Sequence, residues 1–305
     1  MSEIILSICI PTYNRGEILY KTIAAYLADP AFDERVEIVI SDNCSTDDTE
    51  ELVSIYLGQY SNVRYNKLTE NIGPDLNMNA ALSKGRGLYL KLMNDTVSMK
   101  PGILRSMLDI LCLHKIEMNP VFFYQNISFL HSEEVVYCST LNDLVSNVSF
   151  WVTWIANFGT WRKDFESLID KDRFVHLQFP QADWMIRIIN KNNFSIIHFG
   201  DYYNVAELNS KGGYNVFQTF GINYLSLYEE YLKTDILSKR IFNREKYRLF
   251  RYFLMVWYKT LIISKDNKFV FEKKNANKIL MKNFKFKPYF YLGILILRIR
   301  FITGK

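Results

Sequence analysis

Residues 4–15 read IILSICIPTYNR, an apolar run rich in β-branched side chains that stops at a polar turn beginning with Pro11. A short run of this kind, bounded by turn residues, predicts a buried strand. The pattern recurs in VEIVIS at 36–41, VRYN at 63–66 and LYLKLM at 88–93. Between the first two runs, GEILYKTIAAYLADP places Ile18, Leu19, Ile23, Tyr26 and Leu27 at helical spacing. After the second comes STDDTEELVSIYL, where Ser45 or Thr46 can cap the first amides and Asp47 and Asp48 suit the positive end of the helix dipole. DLNMNAALSKGRG supplies a third helix, closed by glycine. Strand–helix–strand repeats of roughly 25–30 residues predict parallel strands joined by right-handed crossovers, an α/β, doubly wound and mostly parallel sheet.

Beyond residue 100 the pattern loosens. PGILRSMLDILCLH (101–114) predicts a helix and PVFFYQNISFL (120–130) a strand. A Trp- and Phe-rich stretch, VSFWVTWIANFGTW, covers 148–161; ADWMIRIINK then predicts a helix and FSIIHF a strand. From about 240 onward the chain is helical and basic, with no Gly/Ser/Pro linker before it. The expected organisation is one α/β domain over 1–240, with a regular part (1–110) and a looser part (111–240), followed by a basic helical region over 241–305.

Composition narrows the function. With 305 residues, 49% of them apolar and 15% aromatic, the chain is globular and disorder is excluded. No apolar run reaches the roughly 18 residues of a membrane span, and the N-terminus does not read as a signal peptide. Cys9, Cys44, Cys112 and Cys138 have no paired spacing and read as free thiols of a reducing compartment; His114, His131, His176 and His198 have no metal-ligand spacing. The net charge of +5 conceals a division: residues 239–305 hold 18 Lys and Arg against three acids. That excess, interleaved with aromatic and aliphatic residues and ending in YFYLGILILRIRFI, suits an in-plane helix on an anionic membrane surface. Packing on the catalytic domain or an oligomer contact remain the alternatives. No nucleic-acid-binding signature accompanies the basic residues, so no nucleic-acid partner is expected.

In doubly wound sheets, ligands bind at the carboxyl ends of the strands. The first strand ends without a G-x-G-x-x-G or P-loop pattern, which argues against a dehydrogenase or NTPase. The second ends in SDNCSTD, where Asp42 is either a turn residue or an acceptor for a base or ribose. Four segments occur in order: CIPTYNR, SDNCSTDDT, ENIGPDLNMNAAL and YLKLMNDT. This series resembles the inverting family 2 glycosyltransferases of the GT-A fold, and ENIGPDLN resembles the abequosyltransferase-like subgroup that builds O-antigens and capsules.

The resemblance implies a nucleotide-diphosphate-sugar donor, with Pro11, Thr12, Tyr13 and Arg15 along the nucleotide and Asn43 and Asn94 beside the acids of the site. Asp42 matches the family's base-contacting aspartate, whose carboxylate can accept the N3–H of uracil or thymine. Asp75 falls where the family closes a loop over the donor, or serves as the N-cap of its own helix. The family's D-x-D motif is incomplete: Asp95 matches the first acid, but Thr96 and Val97 follow. A divalent cation, Mg²⁺ or Mn²⁺, is therefore expected to be bound weakly, by Asp95 as its metal ligand. Otherwise Lys84 or Arg86 supplies the positive charge, or the protein is inactive. Asp183, in Gln181-Ala182-Asp183-Trp184, resembles the family's catalytic base; its alternative is a helix N-terminal acid. Trp151, Trp154 and Trp161 are core or sugar-stacking residues, and Gly212-Gly213-Tyr214-Asn215 is a flap over the phosphates or a simple turn.

The resemblance implies transfer of a hexosyl or deoxyhexosyl group, with inversion, to a growing surface glycan on a lipid-linked acceptor, with 1–110 as the nucleotide-sugar half and 111–240 as the acceptor half of the catalytic domain. The expected location is cytoplasmic, peripheral on the inner face of the membrane. The alternative is a catalytically inactive nucleotide-sugar-binding scaffold.

Overall fold

A computed structural model describes residues 3–125, 134–206, 211–265 and 268–303. His131 and the end of the strand expected over 120–130 lie outside the described residues. The chain forms two compact units, one of Met1–Val175 with Phe179–Glu207, the other of His176–Gln178 with Leu208–Lys305.

In the first unit, β1 (Leu6–Thr12), α1 (Gly16–Leu27), β2 (Val36–Asp42), α2 (Thr49–Leu57), β3 (Val63–Lys67), α3 (Pro74–Ser83) and β4 (Tyr89–Leu92) alternate as the periodicity predicts. β5 (Val97–Met99), α4 (Ile103–His114), β6 (Val121–Gln125), β7 (Val135–Cys138), α5 (Leu141–Val148), β8 (Gly159–Trp161), α6 (Arg162–Glu166), α7 (Pro180–Asn192), β9 (Ser195–Gly200) and β10 (Tyr203–Val205) complete it. The main sheet runs β3-β2-β1-β4-β8, parallel except for antiparallel β8. β6, β9 and β7 form a second sheet, and β5 pairs with β10. All seven residues of β2 are buried, as expected of a central strand covered on both faces.

Lys91 lies inside β4 with no exposed surface. Its ammonium donates to the carbonyls of Ala156 and Phe158, so the strand tolerates it while it pins the 149–158 segment alongside. Burial pushes its pKa well below the usual lysine range. Trp161 is wholly buried, its Nε1 donating to Asn119 O at 2.7 Å and its ring edge-on to Tyr89, which makes it core.

The second unit begins earlier than the charge division suggests, near 208 instead of 240. β11 (Lys211–Asn215) leads into a helical run in which α8 (Val216–Gln218) and α9 (Tyr224–Ser226) are joined by a π-helical turn. α10 (Glu229–Lys233) follows. α11 (Lys239–Leu249) and α12 (Met255–Tyr258) are joined by a π-helical turn over Phe250–Leu254. β12 (Phe269–Glu272), α13 (Ala276–Phe284) and α14 (Pro288–Thr303) end the chain. The boundary moves because packing starts before the basic residues do: Tyr224 donates to buried Glu245 at 2.8 Å, and Asn283 donates to Gly221 O at 2.8 Å. The Gly212–Asn215 segment is a bulged strand paired parallel to β12. A Cβ at Gly212 would fall 2.3 Å from the Val270 carbonyl carbon, so that glycine permits close pairing.

Candidate active site

Sequence adjacency and strand direction bring Thr12, Asp42 and Asp95 to one edge, the carboxyl ends of β1, β2 and β4. Asp95 is nearly buried; it accepts from Thr12 Oγ1 at 3.1 Å and from Arg15 Nη1 at 2.8 Å. Burial raises its pKa, with Arg15 and Thr12 opposing the shift. From α1, Thr22 donates to the Asp95 carbonyl at 2.7 Å and Tyr26 to the Val97 carbonyl at 3.1 Å, which fixes the backbone of this turn. The neighbouring Asn94 Oδ1 is buried without a hydrogen-bond partner among the described residues. Arg15 and Tyr13 are 44% (side chain) and 43% exposed, so both reach solvent at this edge. Pro11, one residue before the end of β1, lies in register with Ser41.

Asp42 has no exposed surface. Its Oδ1 accepts from the Ser45 amide at 2.9 Å and from the Ser45 hydroxyl, and its Oδ2 accepts from the Tyr65 hydroxyl. A carboxylate offers about four acceptor directions, so one remains. Ser45 is thereby diverted from the helix cap expected of it: α2 starts at Thr49, whose amide bonds to Asp47 Oδ1 at 3.1 Å. Asn43 donates to Asn71 Oδ1 at 2.8 Å and accepts from Ile72 N at 2.9 Å, lashing the ENIGP loop to β2. Asn77 ties the same edge together, accepting from Ser41 Oγ at 2.7 Å and donating to Ser41 O at 3.0 Å. Sequence reasoning missed Asn71, Asn77, Thr22 and Tyr65; the ENIGPDLN motif contained the first two without revealing their partners.

Asp75 stands in the first turn of α3, behind Pro74, and burial pushes its carboxyl up to about 6. Lys84 and Arg86 are not brought to this edge. The Arg86 amide bonds to Glu37 Oε1 at 2.6 Å and the Gly87 amide to Ser7 Oγ at 2.8 Å, which places both basic residues at the amino end of the sheet. Ser7 and Thr12 lie at opposite ends of β1, roughly 17 Å apart at the rise of a strand. Lys84 and Arg86 are exposed there and are corrected out of the candidate site.

Asp183 lies in the first turn of α7 and is 2% exposed. Arg173 donates to its Oδ1 from Nε at 3.0 Å and from Nη2 at 2.5 Å. Arg187, one turn along the helix, forms an ion pair with Oδ2 at 2.9 Å, without hydrogen-bond alignment. Gln181 donates to Thr153 O at 2.6 Å, and Leu92 N donates to Phe158 O at 3.1 Å. The start of α7 and the end of β4 therefore flank the same 149–158 segment. In that segment Trp151 and Trp154 are half-buried, and Trp154 packs edge-on to Tyr203.

Among the described residues, no three His, Cys, Asp or Glu side chains converge to hold a metal. The oxygen donors at adjacent positions of this turn are Asp95 and Asn94, whose Oδ1 has no hydrogen-bond partner among the described residues. That pair fits a hard cation held chiefly by other ligands, once Arg15 releases its carboxylate oxygen.

A mostly parallel sheet with acidic turns at its carboxyl edge and an antiparallel outer strand defines a GT-A-type fold. Structural likeness agrees. Residues 1–349 of S. aureus TarS in complex with UDP-GlcNAc superpose with a TM-score of 0.63 at 15% identity, over 99% of this chain and 92% of that one. A Pyrobaculum calidifontis mannosyltransferase in complex with GDP-Man and Mn²⁺ gives 0.55 at 13% identity, over 100% and 89%. Residues 7–126 match the description of glycosyl transferase family 2. The likeness to that family is carried by residues 7–126.

Among curated relatives, abequosyltransferase RfbV of Salmonella typhimurium is 40% identical over 86 residues, 28% of this chain and 26% of the relative. The GalNAc(5)-diNAcBac-PP-undecaprenol beta-1,3-glucosyltransferase of Campylobacter jejuni is 30% identical over 105 residues, 34% of this chain and 33% of the relative. These matches span about a quarter to a third of the curated relatives.

Proposed function

We propose that the chain is a glycosyltransferase that moves one sugar, with inversion, from a nucleotide diphosphate to a growing bacterial glycan on a lipid carrier. The observation that carries this reading is the edge formed by Thr12, Arg15, Asn94 and Asp95 in a chain similar to family 2. There, a half-exposed guanidinium and an unsatisfied amide oxygen stand beside a buried carboxylate.

In this reading Arg15 exchanges Asp95 for the donor's diphosphate, and Tyr13 lies along the nucleotide. Asp42 accepts from the base with its remaining lone pair once Tyr65 yields, and the loop held by Asn43 and Asn71 presents Asp75 to the donor. Asp183 removes the acceptor hydroxyl's proton, with the two arginines acting as positioning residues. A cation held by Asp95 and Asn94 would neutralise charge on the departing diphosphate. The O-antigen and capsule subgroup is favoured by the 40% identity to the abequosyltransferase. A second reading, an inactive nucleotide-sugar-binding scaffold, is favoured by Thr96 and Val97 in place of further acids.

Melting curves with UDP, dTDP, CDP and GDP sugars, with and without Mn²⁺, test both readings, because a ligand of the folded state raises its melting temperature. One donor class is expected to stabilise the protein and then to be hydrolysed or transferred. Stabilisation without turnover supports the scaffold; no stabilisation by any donor removes both readings.

The tail is read as a peripheral membrane contact. Among the described residues no helix is long and apolar enough to cross a membrane. In α14, Leu292, Leu295, Ile299 and Phe301 are each at least half exposed, and Arg298 and Arg300 are its only charged residues. A helix this apolar normally lies buried. Salt-sensitive sedimentation with anionic vesicles is expected, lost on deletion of 282–305 with donor hydrolysis retained. Full-length protein that stays in the supernatant at low salt would refute the membrane contact.

A further inference from the structure

The second unit contains a cavity of about 250 Å³ between the helical run from α11 to α12 and α14. Its wall is apolar, formed by Phe250, Met255, Leu292 and Ile296. The π-helical turn over Phe250–Leu254 contributes Phe250 and Arg251, and such turns recur at functional sites. Gly293 faces the same space: a Cβ there would fall 3.1 Å from the Phe250 ring and 3.4 Å from Met255 Sδ. Arg251 and Arg300 line the cavity while remaining exposed, so they stand at its mouth. No acid lines it.

The third feature is a hydroxyl. Tyr289 also lines the cavity, wedged against the rings of Tyr247 and Phe250. Its oxygen is buried and lacks a hydrogen-bond partner among the described residues. A buried hydroxyl without an acceptor is costly and calls for one. Cationic side chains at the mouth, an apolar interior and an unanswered donor together describe a receptor for an anion carrying a hydrocarbon chain. Free phosphate would leave the apolar wall unused, and a neutral alkyl chain would make no use of the cationic mouth.

We propose that this cavity binds one anionic phospholipid of the membrane surface. Its phosphate meets Arg251 and Arg300, and part of an acyl chain enters between Phe250, Met255 and Ile296. The proposal rests on the reading of α14 as the membrane-facing helix and is independent of the transfer activity. It adds to that reading a defined site for a single lipid where a non-specific apolar face would need none.

The test uses the full chain and calorimetric titration with dioctanoyl phosphatidylglycerol below its micellar concentration. Inorganic phosphate, dioctanoyl phosphatidylcholine and octyl glucoside serve as comparison ligands. Saturable binding of the phosphatidylglycerol is expected, with affinity at least about tenfold above each comparison ligand, since a charge-assisted hydrogen bond is worth that much or more. Gly293→Leu, which fills the cavity, and Arg251→Gln should each weaken it about tenfold. Should Gly293→Leu fail to fold, Tyr289→Phe and Arg251→Gln carry the test. Vesicle sedimentation separates the two readings. Vesicle binding without saturable binding of the short-chain lipid, or short-chain binding indifferent to these substitutions, overturns the cavity site and leaves the membrane contact standing. Short-chain binding without vesicle binding overturns the proposal together with the membrane contact, because the site would then take a soluble amphiphile and not a lipid of the membrane surface.

Discussion

The two ends of the five-stranded sheet both carry buried carboxylates, and they use them differently. At the amino end Glu37 is 1% exposed, with a donor on each of its oxygens. Ser7 donates to it at 2.6 Å, the Arg86 amide at 2.6 Å and Arg64 at 3.2 Å. At the carboxyl end Asp95 shares its charge with a half-exposed arginine, Asn94 Oδ1 has no donor among the described residues, and Asp75 is desolvated. A buried acid is therefore no sign of function. What separates the ends, among the described residues, is an unpartnered side-chain oxygen and a half-exposed cation beside the buried acid, both at the carboxyl end. This is the property that ligand sites need and that structural hubs cannot sustain.

The largest expected effect is at Asp183. Asp183→Asn keeps the shape but removes the base, and turnover should fall by about 10²–10⁴ while nucleotide affinity stays near that of the parent. Because Arg173 and Arg187 would lose their charged partner, the variant should also melt lower. Near-normal turnover in a destabilised variant would make the carboxylate an anchor for the arginines alone. Glu37→Ala sharpens the contrast from the other end: it should cost about 3 kcal/mol of stability by stranding Arg64 and Ser7. Donor affinity, measured on the remaining folded protein, should not change. A selective loss of donor binding would break the division between the two ends.

Asp42 comes next. Asp42→Ala should weaken donor binding by about 1.5–3 kcal/mol through a lost charge-assisted bond. It also strands Tyr65 and Ser45, so stability must be followed alongside. Tyr65→Phe separates the effects, because it frees Oδ2 while keeping the carboxylate. Donor affinity retained or tightened in Tyr65→Phe, and weakened in Asp42→Ala, is expected of a base contact. Equal weakening in both would make the pair a purely structural link between β2 and β3.

Much of the first unit was legible in the sequence because β1 to β4 and their helices bury continuous apolar runs or one apolar stripe. Buried polar groups were the hidden part. Lys91 sits within an apparently regular strand because carbonyls of a distant segment accept its protons, and no local pattern reports that. Tyr26 was read as an apolar position of α1, although its hydroxyl holds the turn after Asp95. The misplacement of Lys84 and Arg86 was avoidable, since residues that precede a parallel strand lie at its amino end. Arg187 stands four residues after Asp183 and carried a helical-pair signal; Arg173, across a turn, carried none. Charge changes at 239, whereas the second compact unit starts near 208, because packing and not charge sets that division.

The smallest expected effect is also the most direct reading of unused capacity. Asp75 has a folded-state pKa of about 6, raised by burial, whereas an unfolded aspartate titrates near 3.9. Between these values the folded chain holds more protons than the unfolded chain, so this group's contribution to stability is present at low pH and lost as pH rises through about 6. The loss at neutral pH is on the order of 2 kcal/mol, after allowance for residual solvent contact. Asp75→Asn abolishes it. The variant should match the parent near pH 4 and exceed it by that amount above pH 6, as read from denaturant midpoints across the range. If the carboxylate is kept for the donor, the same substitution should weaken nucleotide-sugar binding while it strengthens the fold. Equal stability at pH 7 would mean that Asp75 is already answered in the folded chain, and the contrast between the two ends would then rest on Asn94 and Arg15 alone.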